Sequence, residues 1–372
     1  MSFRRVIFWS HLSIGVAAGA VIFVLAVTGA LLSFETQITR LVTFGPIEIA
    51  EDAPRLSLPD LAEAALTATQ GRASALIVER DPSLPVTATV GRGGGVLIDP
   101  TTGAVLDGAP EWLTQGFSTV ESLHRTLALS GEARDAGRAA TGAATAVFFA
   151  LLLSGVYLWW PRAWRWSQLR PRIWFRTGLP NAKARDFNWH HVLGFWALAP
   201  LLVITLSGLV LAYPSLRQAL FDAYGETQGR RQFGGATVTR LADPRLEAVY
   251  AAALAEERWN RMTVSLPAVG DDAVTVEIDR GTGRDPTAKT VLTYALDDAS
   301  LTGAESFADR SPATRAFLWM RFAHTGEYYG LAGQAVAGLA SLAAAVMVYT
   351  GLALSYRRLL QPVLRRRKAR PS

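Results

Sequence analysis

The sequence of 372 residues contains no cysteine. Without thiols the chain forms no disulfides, thiolate metal sites or iron–sulfur clusters, and it cannot attach a c-type haem through a C-x-x-C-H motif. Any metal chemistry must therefore use histidine, carboxylate or methionine side chains. Histidine is scarce as well, with five in the whole chain, so each one narrows the choice of places where a metal or cofactor could bind.

Charged residues are also few, at 18% of the chain against 50% hydrophobic residues. The apolar residues are gathered into four runs that are long enough to cross a bilayer core of roughly 30 Å as helices. These runs are 14–34, 139–160, 192–213 and 331–356. A cleaved signal peptide is the alternative for the first run because Arg4 and Arg5 precede it, but the run is longer than an ordinary signal core. The sequence therefore predicts a polytopic membrane protein.

Acidic residues are nearly missing from the N-terminal stub and from segments 161–187 and 356–372, which together hold 16 basic residues and one acidic residue. The two long segments 36–120 and 217–316 hold 17 basic and 25 acidic residues instead. Positive residues mark the cytoplasmic side of short loops, which predicts cytoplasmic termini and two external segments. The basic excess indicates contact with membrane lipid headgroups, and nucleic acid is not expected as a partner.

The first apolar run resembles the third, and the second resembles the fourth. The first and third each have a histidine, a glycine four residues later and a Ser/Thr-Gly pair fourteen residues after that glycine: His11, Gly15 and Thr28-Gly29, then His190, Gly194 and Ser207-Gly208. In the second and fourth, one glycine lies thirteen residues before another that follows Ser or Thr: Gly142 and Gly155, then Gly338 and Gly351. We interpret the chain as an internal duplication whose parallel halves are related by a pseudo-twofold axis along the membrane normal.

Each long external segment has the pattern of a small α+β unit. The expected helices are 58–70 and 244–257, and the expected strands are 75–80, 86–90, 95–98, 262–266, 273–279 and 290–295. The glycine-rich stretch 91–95 is expected to be a hairpin turn instead of a phosphate-binding loop, because no helix follows it. The predicted fold class is thus a mainly α membrane protein, with four transmembrane helices as two parallel repeats and two small α+β segments.

The predicted boundaries follow from these spans and segments. They are 1–35 for transmembrane helix 1, 36–123 for the first external segment, 124–160 for an interfacial segment and transmembrane helix 2, 161–189 for a basic cytoplasmic loop, 190–214 for transmembrane helix 3, 215–323 for the second external segment, 324–356 for transmembrane helix 4 and 357–372 for a basic cytoplasmic tail.

All five histidines fall at the ends of the apolar runs. A single histidine at a membrane interface is often only a solvated polar residue, but these histidines occur in repeat-related pairs, and ionisable residues at membrane depth are usually functional. The pseudo-twofold axis is expected to bring His11 to His190 and His124 to His324. Two opposed imidazoles suit the axial positions of a b-type haem. A zinc site and a permeation path for iron or nickel are the alternatives, although two histidines alone give half of a tetrahedral zinc site.

His191 points about 100° away from His190 on a helix and is therefore expected not to share its axial position. It is a candidate to contact a haem propionate, as are Arg5, Arg125 and Arg321, because guanidinium groups bind carboxylates through two hydrogen bonds. Surface or topological charge is the alternative for each arginine. Two haems near opposite faces would conduct electrons across the bilayer, from a quinol or a cytoplasmic donor to an acceptor outside.

These features together resemble the PepSY-associated transmembrane helix family, whose characterised members include inner-membrane siderophore-iron reductases. The resemblance rests on the His-x-x-x-Gly spans, the Ser/Thr-Gly pairs, the Asp-Pro-Thr-Thr-Gly stretch 99–103 and the Leu-Trp-Trp-Pro-Arg stretch 158–162, and it covers nearly the whole chain. It implies a bacterial inner-membrane protein with four spans, PepSY-like periplasmic segments and two haems b. It also implies reduction of a ferric siderophore, which releases the iron as Fe(II).

The family's span-head histidine falls on His11 and His190, and its outer histidines fall on His124 and His324. Many members have His-Arg at the third span, where this chain has His190-His191. The cytoplasmic tail is too short for a fused flavin or nicotinamide domain, so the electron donor is expected to be a quinol or a cytoplasmic reductase. Two other functions stay open: a membrane-anchored PepSY-type module that binds a partner without redox activity, and a haem subunit that passes electrons to a separate periplasmic enzyme.

Overall fold

The computed structural model describes residues 2–45, 47–49, 53–91, 94–161, 163–227, 239–256 and 258–362. These residues form two compact units. The helical unit comprises the described residues of Met1–Glu35, Gln115–Leu220 and Trp319–Ser372, and the sheet unit comprises those of Thr36–Thr114 and Phe221–Leu318. Several predicted features lie partly outside the described residues: the turn at 91–95, the end of the helix 244–257, and the segments 1–35, 36–123, 161–189, 215–323 and 357–372.

Helices account for most of the described chain. In order they are α1 Phe3–Leu32, α2 Glu35–Phe44, α3 Leu58–Ala68, α4 Glu111–Thr126, α5 Arg134–Trp159, α6 Trp166–Ile173, α7 Ala182–Trp196, α8 Leu198–Ala212, α9 Pro214–Ala223, α10 Leu246–Leu254, α11 Pro312–His324 and α12 Gly330–Leu359. The strands are β1 Ala73–Glu79, β2 Val86–Val90, β3 Gly94–Ile98, β4 Val105–Leu106, β5 Arg261–Ser265, β6 Ala273–Asp279, β7 Lys289–Ala295 and β8 Leu301–Ser306.

Three of these helices, α1, α5 and α12, are long and apolar enough to cross a membrane. α7 and α8 together pass the same test of length and composition as a bent pair, so the described chain has three candidate spans, or four if the bent pair counts as one. α1 packs against α5 and α12, and α12 also packs against α7 and α8. The predicted apolar runs thus become the helices that form the core of the helical unit.

The third predicted span is not one straight helix, as the range 190–214 had implied. It bends by 68° between α7 and α8, and α7 begins at Ala182. The bend has a local cause in Pro200, which has no N–H to donate and whose ring clashes with the carbonyl of the residue four positions earlier, Trp196. The helix therefore breaks at Ala197, immediately after Trp196.

Gly338 in α12 packs directly against an aromatic ring of the helical unit. A Cβ atom built at this position would lie 2.5 Å from Cε2 of Phe34, a distance at which the aromatic ring must move. The equivalent glycine of the other half, Gly142, faces a second aromatic residue, with a built Cβ atom 3.1 Å from the hydroxyl oxygen of Tyr213. Small residues at these positions let the ring at the end of one helix lie directly on the backbone of another.

We therefore expect Gly338→Ala to lower the free energy of unfolding by about 1–3 kcal/mol, the usual cost of overpacking. The measurement is the midpoint of thermal unfolding in detergent. Gly15→Ala is the matched control, because its Cβ atom would lie 3.7 Å from Cδ2 of Leu151, an ordinary contact distance. Equal midpoints for the two variants would contradict the packing argument.

The sheet unit contains one continuous eight-stranded antiparallel sheet in the order β4-β3-β2-β1-β5-β6-β7-β8. This corrects the prediction of two separate α+β segments, because β1 of the first segment pairs with β5 of the second, with Leu76 opposite Val264. Both residues are fully buried, and α3 and α10 pack together. Two separate four-stranded sheets would each leave an apolar edge strand open to solvent, and the β1–β5 pairing removes both edges.

The charged residues of the sheet unit are paired where they are buried. Glu79 accepts hydrogen bonds from the guanidinium groups of Arg40 and Arg261. Hydrogen bonds from Arg245 lower the pKa of Asp243, whose carboxylate also accepts from the main-chain N–H of Arg245, the residue immediately before α10. These pairs fix the ends of strands and helices within the unit, and they account for much of its buried charge.

Four histidines held by Ser/Thr-Gly pairs

Four of the five histidines make the same contact in the helical unit. In each, the ring atom Nδ1 lies at hydrogen-bond distance from the hydroxyl oxygen of a Ser or Thr that is followed by glycine. The pairs are His11 with Ser154 at 2.9 Å, His124 with Thr28 at 2.9 Å, His190 with Thr350 at 3.1 Å and His324 with Ser207 at 3.2 Å. The Ser/Thr-Gly pairs that mark the duplication in the sequence are therefore the partners of its histidines.

The glycine of each pair provides the space in which the imidazole ring lies. A Cβ atom built at that glycine would lie close to Cε1 of the same histidine: 3.1 Å for Gly208 and His324, 3.4 Å for Gly29 and His124, 3.4 Å for Gly351 and His190, and 3.6 Å for Gly155 and His11. The hydroxyl and the glycine thus contact the Nδ1–Cε1 edge of every ring. Nε2 is the nitrogen that this contact leaves for another partner.

The hydrogen-bond directions are set by the hydroxyl groups. Each hydroxyl donates its single hydrogen to the carbonyl oxygen four residues earlier in its own helix: Thr28 to Val24 at 2.6 Å, Ser154 to Ala150 at 2.8 Å, Ser207 to Val203 at 2.6 Å and Thr350 to Val346 at 2.9 Å. A hydroxyl that has used its hydrogen can only accept from histidine. Nδ1 therefore carries the ring proton, and Nε2 keeps its lone pair.

Main-chain carbonyl groups reinforce this tautomer at two of the four rings. Nδ1 of His190 lies 3.0 Å from the carbonyl oxygen of Met347, and Nδ1 of His324 lies 2.9 Å from that of Ile204. Since a carbonyl oxygen only accepts, these contacts also require a proton on Nδ1.

The four rings form one pair near each end of the helical unit. The rings of His124 and His324 have centroids 6.4 Å apart and planes inclined by 61°, and His11 and His190 are close enough for their charges to interact. His11 belongs to one pair, and Thr28 contacts His124 of the other pair. Thr28 lies 17 residues after His11 on the same helix, which corresponds to about 25 Å along its axis. The pairing is the one that the pseudo-twofold axis predicts, and the role of the pairs as ligands stays a prediction.

The fifth histidine and the three arginines proposed as propionate partners have other contacts. Nδ1 of His191 lies 2.9 Å from the carbonyl oxygen of Phe187 in its own helix, and its ring lies against the Phe187 ring with centroids 4.1 Å apart. Arg125 forms an ion pair with Glu121 at 2.7 Å, and the guanidinium carbon of Arg321 lies 5.6 Å from the ring centroid of Phe322. Arg5 is exposed. None of these contacts tests the propionate role.

Sequence reasoning treated the Ser/Thr-Gly pairs only as markers of the repeat and missed their contact with the histidines. A usable signal was present. Thr28 lies 17 residues after His11, and Ser207 lies 17 residues after His190, so each pair falls about 25 Å from the histidine of its own run. A neighbouring helix that runs in the opposite direction can bring its own histidine to the depth at which the Ser/Thr-Gly pair lies.

Two free imidazole nitrogens at each end define what the site can bind. Among the described residues, no group of three or more His, Asp or Glu side chains is arranged to hold a metal ion. A structural zinc ion needs four protein ligands and a catalytic one usually needs three. The chemistry of the donor set therefore suits a group that brings most of its own metal ligands and needs only two axial nitrogens.

The fold and the site define a multi-pass α-helical membrane protein with a separate antiparallel sheet unit and a histidine pair near each end of its helices. The family model described as PepSY-associated TM region matches residues 8–358. The chain therefore belongs to this family, which confirms the resemblance seen in the sequence. No curated protein matches the chain.

Proposed function

We propose that the protein is a di-haem b oxidoreductase of the bacterial inner membrane. It moves electrons across the membrane to reduce ferric siderophores in the periplasm, and the iron is released as Fe(II). The observation that carries this proposal is the identical hydrogen bonding of four histidines, which leaves one free Nε2 on each ring and places the rings in two pairs about 25 Å apart.

The spacing of the His124 and His324 rings supports one iron between them. An imidazole nitrogen binds a first-row metal at about 2.0–2.1 Å and lies about 1.1 Å from the ring centre, so two axial imidazoles have centres about 6.3 Å apart. The observed separation is 6.4 Å. A direct nitrogen-to-nitrogen hydrogen bond would bring the centres to about 5.1 Å. Edge-to-face packing of two rings also allows this separation, but it gives no reason for the Nδ1 contacts that both rings share.

A haem fits this donor set because the porphyrin would bring most of the iron ligands and would need two imidazole nitrogens from the protein. Nε2 of His11 and His190 would hold one haem, and Nε2 of His124 and His324 would hold the other. When bound, haem supplies reversible one-electron oxidation and reduction. The four hydroxyl groups keep the ring protons on Nδ1, and the glycines give the rings room beside the helices.

The proposed topology has four spans arranged as two parallel repeats. Within each half the two runs exchange contacts: His11 lies against Ser154 while His124 lies against Thr28, and the second half repeats the pattern with Thr350 and Ser207. Each half therefore contributes one ring to each pair. The basic residues of the short loops support cytoplasmic termini and a periplasmic sheet unit.

The electron balance defines what the reaction needs. Each ferric ion takes one electron and becomes Fe(II), which the hard oxygen ligands typical of siderophores hold less tightly than Fe(III). A quinol that is oxidised to its quinone gives up two electrons and two protons and so serves two ferric ions. A one-electron cytoplasmic reductase would serve one ferric ion at a time.

The first test is a haem count on the purified full-length protein, for which we expect two haems b per chain by pyridine haemochrome. In the second step the protein is reduced and mixed with ferric siderophores in the presence of an Fe(II)-specific chelator. We expect reoxidation of the haem and formation of one Fe(II) complex per electron lost. Fe(II) formation without protein, at the same reductant concentration, is the control.

The outcomes separate the proposal from its two alternatives. A colourless protein after expression with ample haem would favour a membrane-anchored PepSY-type module that binds a partner without redox activity. A haem protein that no ferric chelate reoxidises would favour a haem subunit that passes electrons to a separate periplasmic enzyme. Either result overturns the reductase assignment.

A further inference from the structure

We propose that Ser154 is the residue that fixes the tautomer of His11, whereas a main-chain carbonyl group also holds the tautomer of His190, the other histidine of its pair. The inference rests on the proposed function, because it concerns how a haem ligand is prepared for iron. Ser154 acts through His11 and is therefore a positioning residue.

The contacts of the rings separate His11 from His190. His190 and His324 each have a main-chain carbonyl partner besides the hydroxyl group. Among the residues that the structure describes, His11 has only the hydroxyl oxygen of Ser154, at 2.9 Å. A carbonyl cannot be removed by a side-chain substitution, so the backbone holds the tautomers of His190 and His324, whereas one replaceable hydroxyl holds the tautomer of His11.

The direction of the Ser154 hydrogen bond is set by its own helix. Its hydroxyl lies 2.8 Å from the carbonyl oxygen of Ala150, to which it donates, so it accepts from His11. Without this acceptor the proton of the neutral imidazole is free to move to Nε2. A ring protonated on Nε2 has no lone pair there for iron.

The same hydrogen bond affects the metal after it has bound. A partner on the second ring nitrogen orients the imidazole and raises its basicity as a ligand, and loss of such a partner typically lowers metal affinity by about 10–100-fold. A less basic axial ligand stabilises the oxidised iron less. Removal of the Ser154 hydroxyl is therefore expected to raise the reduction potential of the haem that His11 and His190 hold and to leave that of the other haem unchanged.

The experiment compares Ser154→Ala, Ser154→Thr and Thr350→Val in the full-length protein. For Ser154→Ala we expect about 10–100-fold weaker retention of one haem and a redox titration in which one of two components shifts to higher potential. Ser154→Thr is expected to restore both, because Thr28 and Thr350 fill the equivalent role. Thr350→Val is the comparison at the same histidine pair, and its effects on haem retention and potential are expected to be smaller than those of Ser154→Ala, because the carbonyl of Met347 still holds His190.

A measurement on the haem-free protein keeps the inference separate from the function. Nitrogen-15 NMR of labelled histidine reports which ring nitrogen carries the proton, and His11 is assigned by loss of its signal in His11→Gln. We expect an Nδ1-protonated His11 that becomes a mixture in Ser154→Ala. An unchanged tautomer in that variant, or equal effects of Ser154→Ala and Thr350→Val on one haem, overturns the role of Ser154. A failed haem count with the expected NMR result would instead reject the haem proposal alone.

Discussion

Replacing His190 with alanine is expected to remove one of the two haems, whereas replacing His191 with alanine leaves both. The two residues are neighbours on α7, but their hydrogen bonds differ. His190 lies against Thr350 and Met347 of another helix, while His191 lies against the carbonyl of Phe187 in its own helix. Only His190 has the contact that the four paired histidines share. We therefore expect the haem count to fall from two to one in the first variant only.

The rate of electron transfer should fall by a larger factor than the haem content does. Two haems about 25 Å apart would divide the path of an electron across the membrane into shorter steps. With one haem missing, the electron has to cover a longer distance in a single step. In vesicles that contain a quinol, we expect Fe(II) formation from an external ferric siderophore to fall by about 100-fold or more in His190→Ala. His191→Ala should keep at least half of the original rate.

His324→Ala provides the complementary case at the other pair. It should also leave one haem, now the one held by His11 and His190, and this haem should still be reduced by the quinol although external Fe(II) formation is lost. If His191→Ala removed a haem as completely as His190→Ala did, the assignment of axial ligands would be wrong. Loss of both haems in every variant would indicate unfolding, which the thermal unfolding midpoint reports independently.

Much of the fold follows from local sequence patterns. Hydropathy located all four apolar runs, because an apolar stretch of about 20 residues has few alternatives to a membrane helix. The strands β2 and β6 were predicted with their observed bounds, and the other predicted strands lie within one or two residues of theirs, because alternation of apolar side chains is a short-range signal. β4 and β8 were missed: β4 has two residues, and β8 has the exposed pattern of an edge strand.

The features that sequence reasoning missed depend on contacts between distant residues or on a single residue. The pairing of β1 with β5 joins residues as far apart as Leu76 and Val264, and nothing in either strand identifies its partner. The bend between α7 and α8 depends on Pro200. The mean hydropathy of a long window does not reveal a single proline. The amphipathic helices α4 and α11 were not foreseen, although they place His124 and His324 in their last turns.

The histidine pairs could be predicted because a duplication limits which rings can meet. Their hydrogen-bond partners could not be predicted with the same reasoning, since a Ser/Thr-Gly pair in a membrane helix is usually explained by close helix packing. The structure shows a more specific use, in which the hydroxyl oxygen contacts Nδ1 of a histidine and the glycine leaves space for Cε1. This distinction leads to a test in which the histidines themselves are not altered.

Replacing Gly208 with valine is expected to remove the haem between His124 and His324 while both histidines remain. A Cβ atom at this position would lie 3.1 Å from Cε1 of His324 and 3.5 Å from Cγ2 of Thr145, so the ring and α5 close the space from two sides. The two methyl groups of valine must displace the imidazole from Ser207. Overpacking costs about 1–3 kcal/mol, which corresponds to about 5–150-fold in haem affinity.

The loss of haem should be larger where there is less space between the glycine and the imidazole ring. Gly155→Ala is the matched control, because its Cβ atom would lie 3.6 Å from Cε1 of His11, within ordinary contact. We expect two haems in Gly155→Ala, a partial loss of one haem in Gly208→Ala and one haem in Gly208→Val. The remaining haem shows that the helices still fold, so that the loss is local to His324. Full retention of two haems in Gly208→Val would mean that the ring does not need this glycine, and the proposed geometry of the His124 and His324 pair would have to be abandoned.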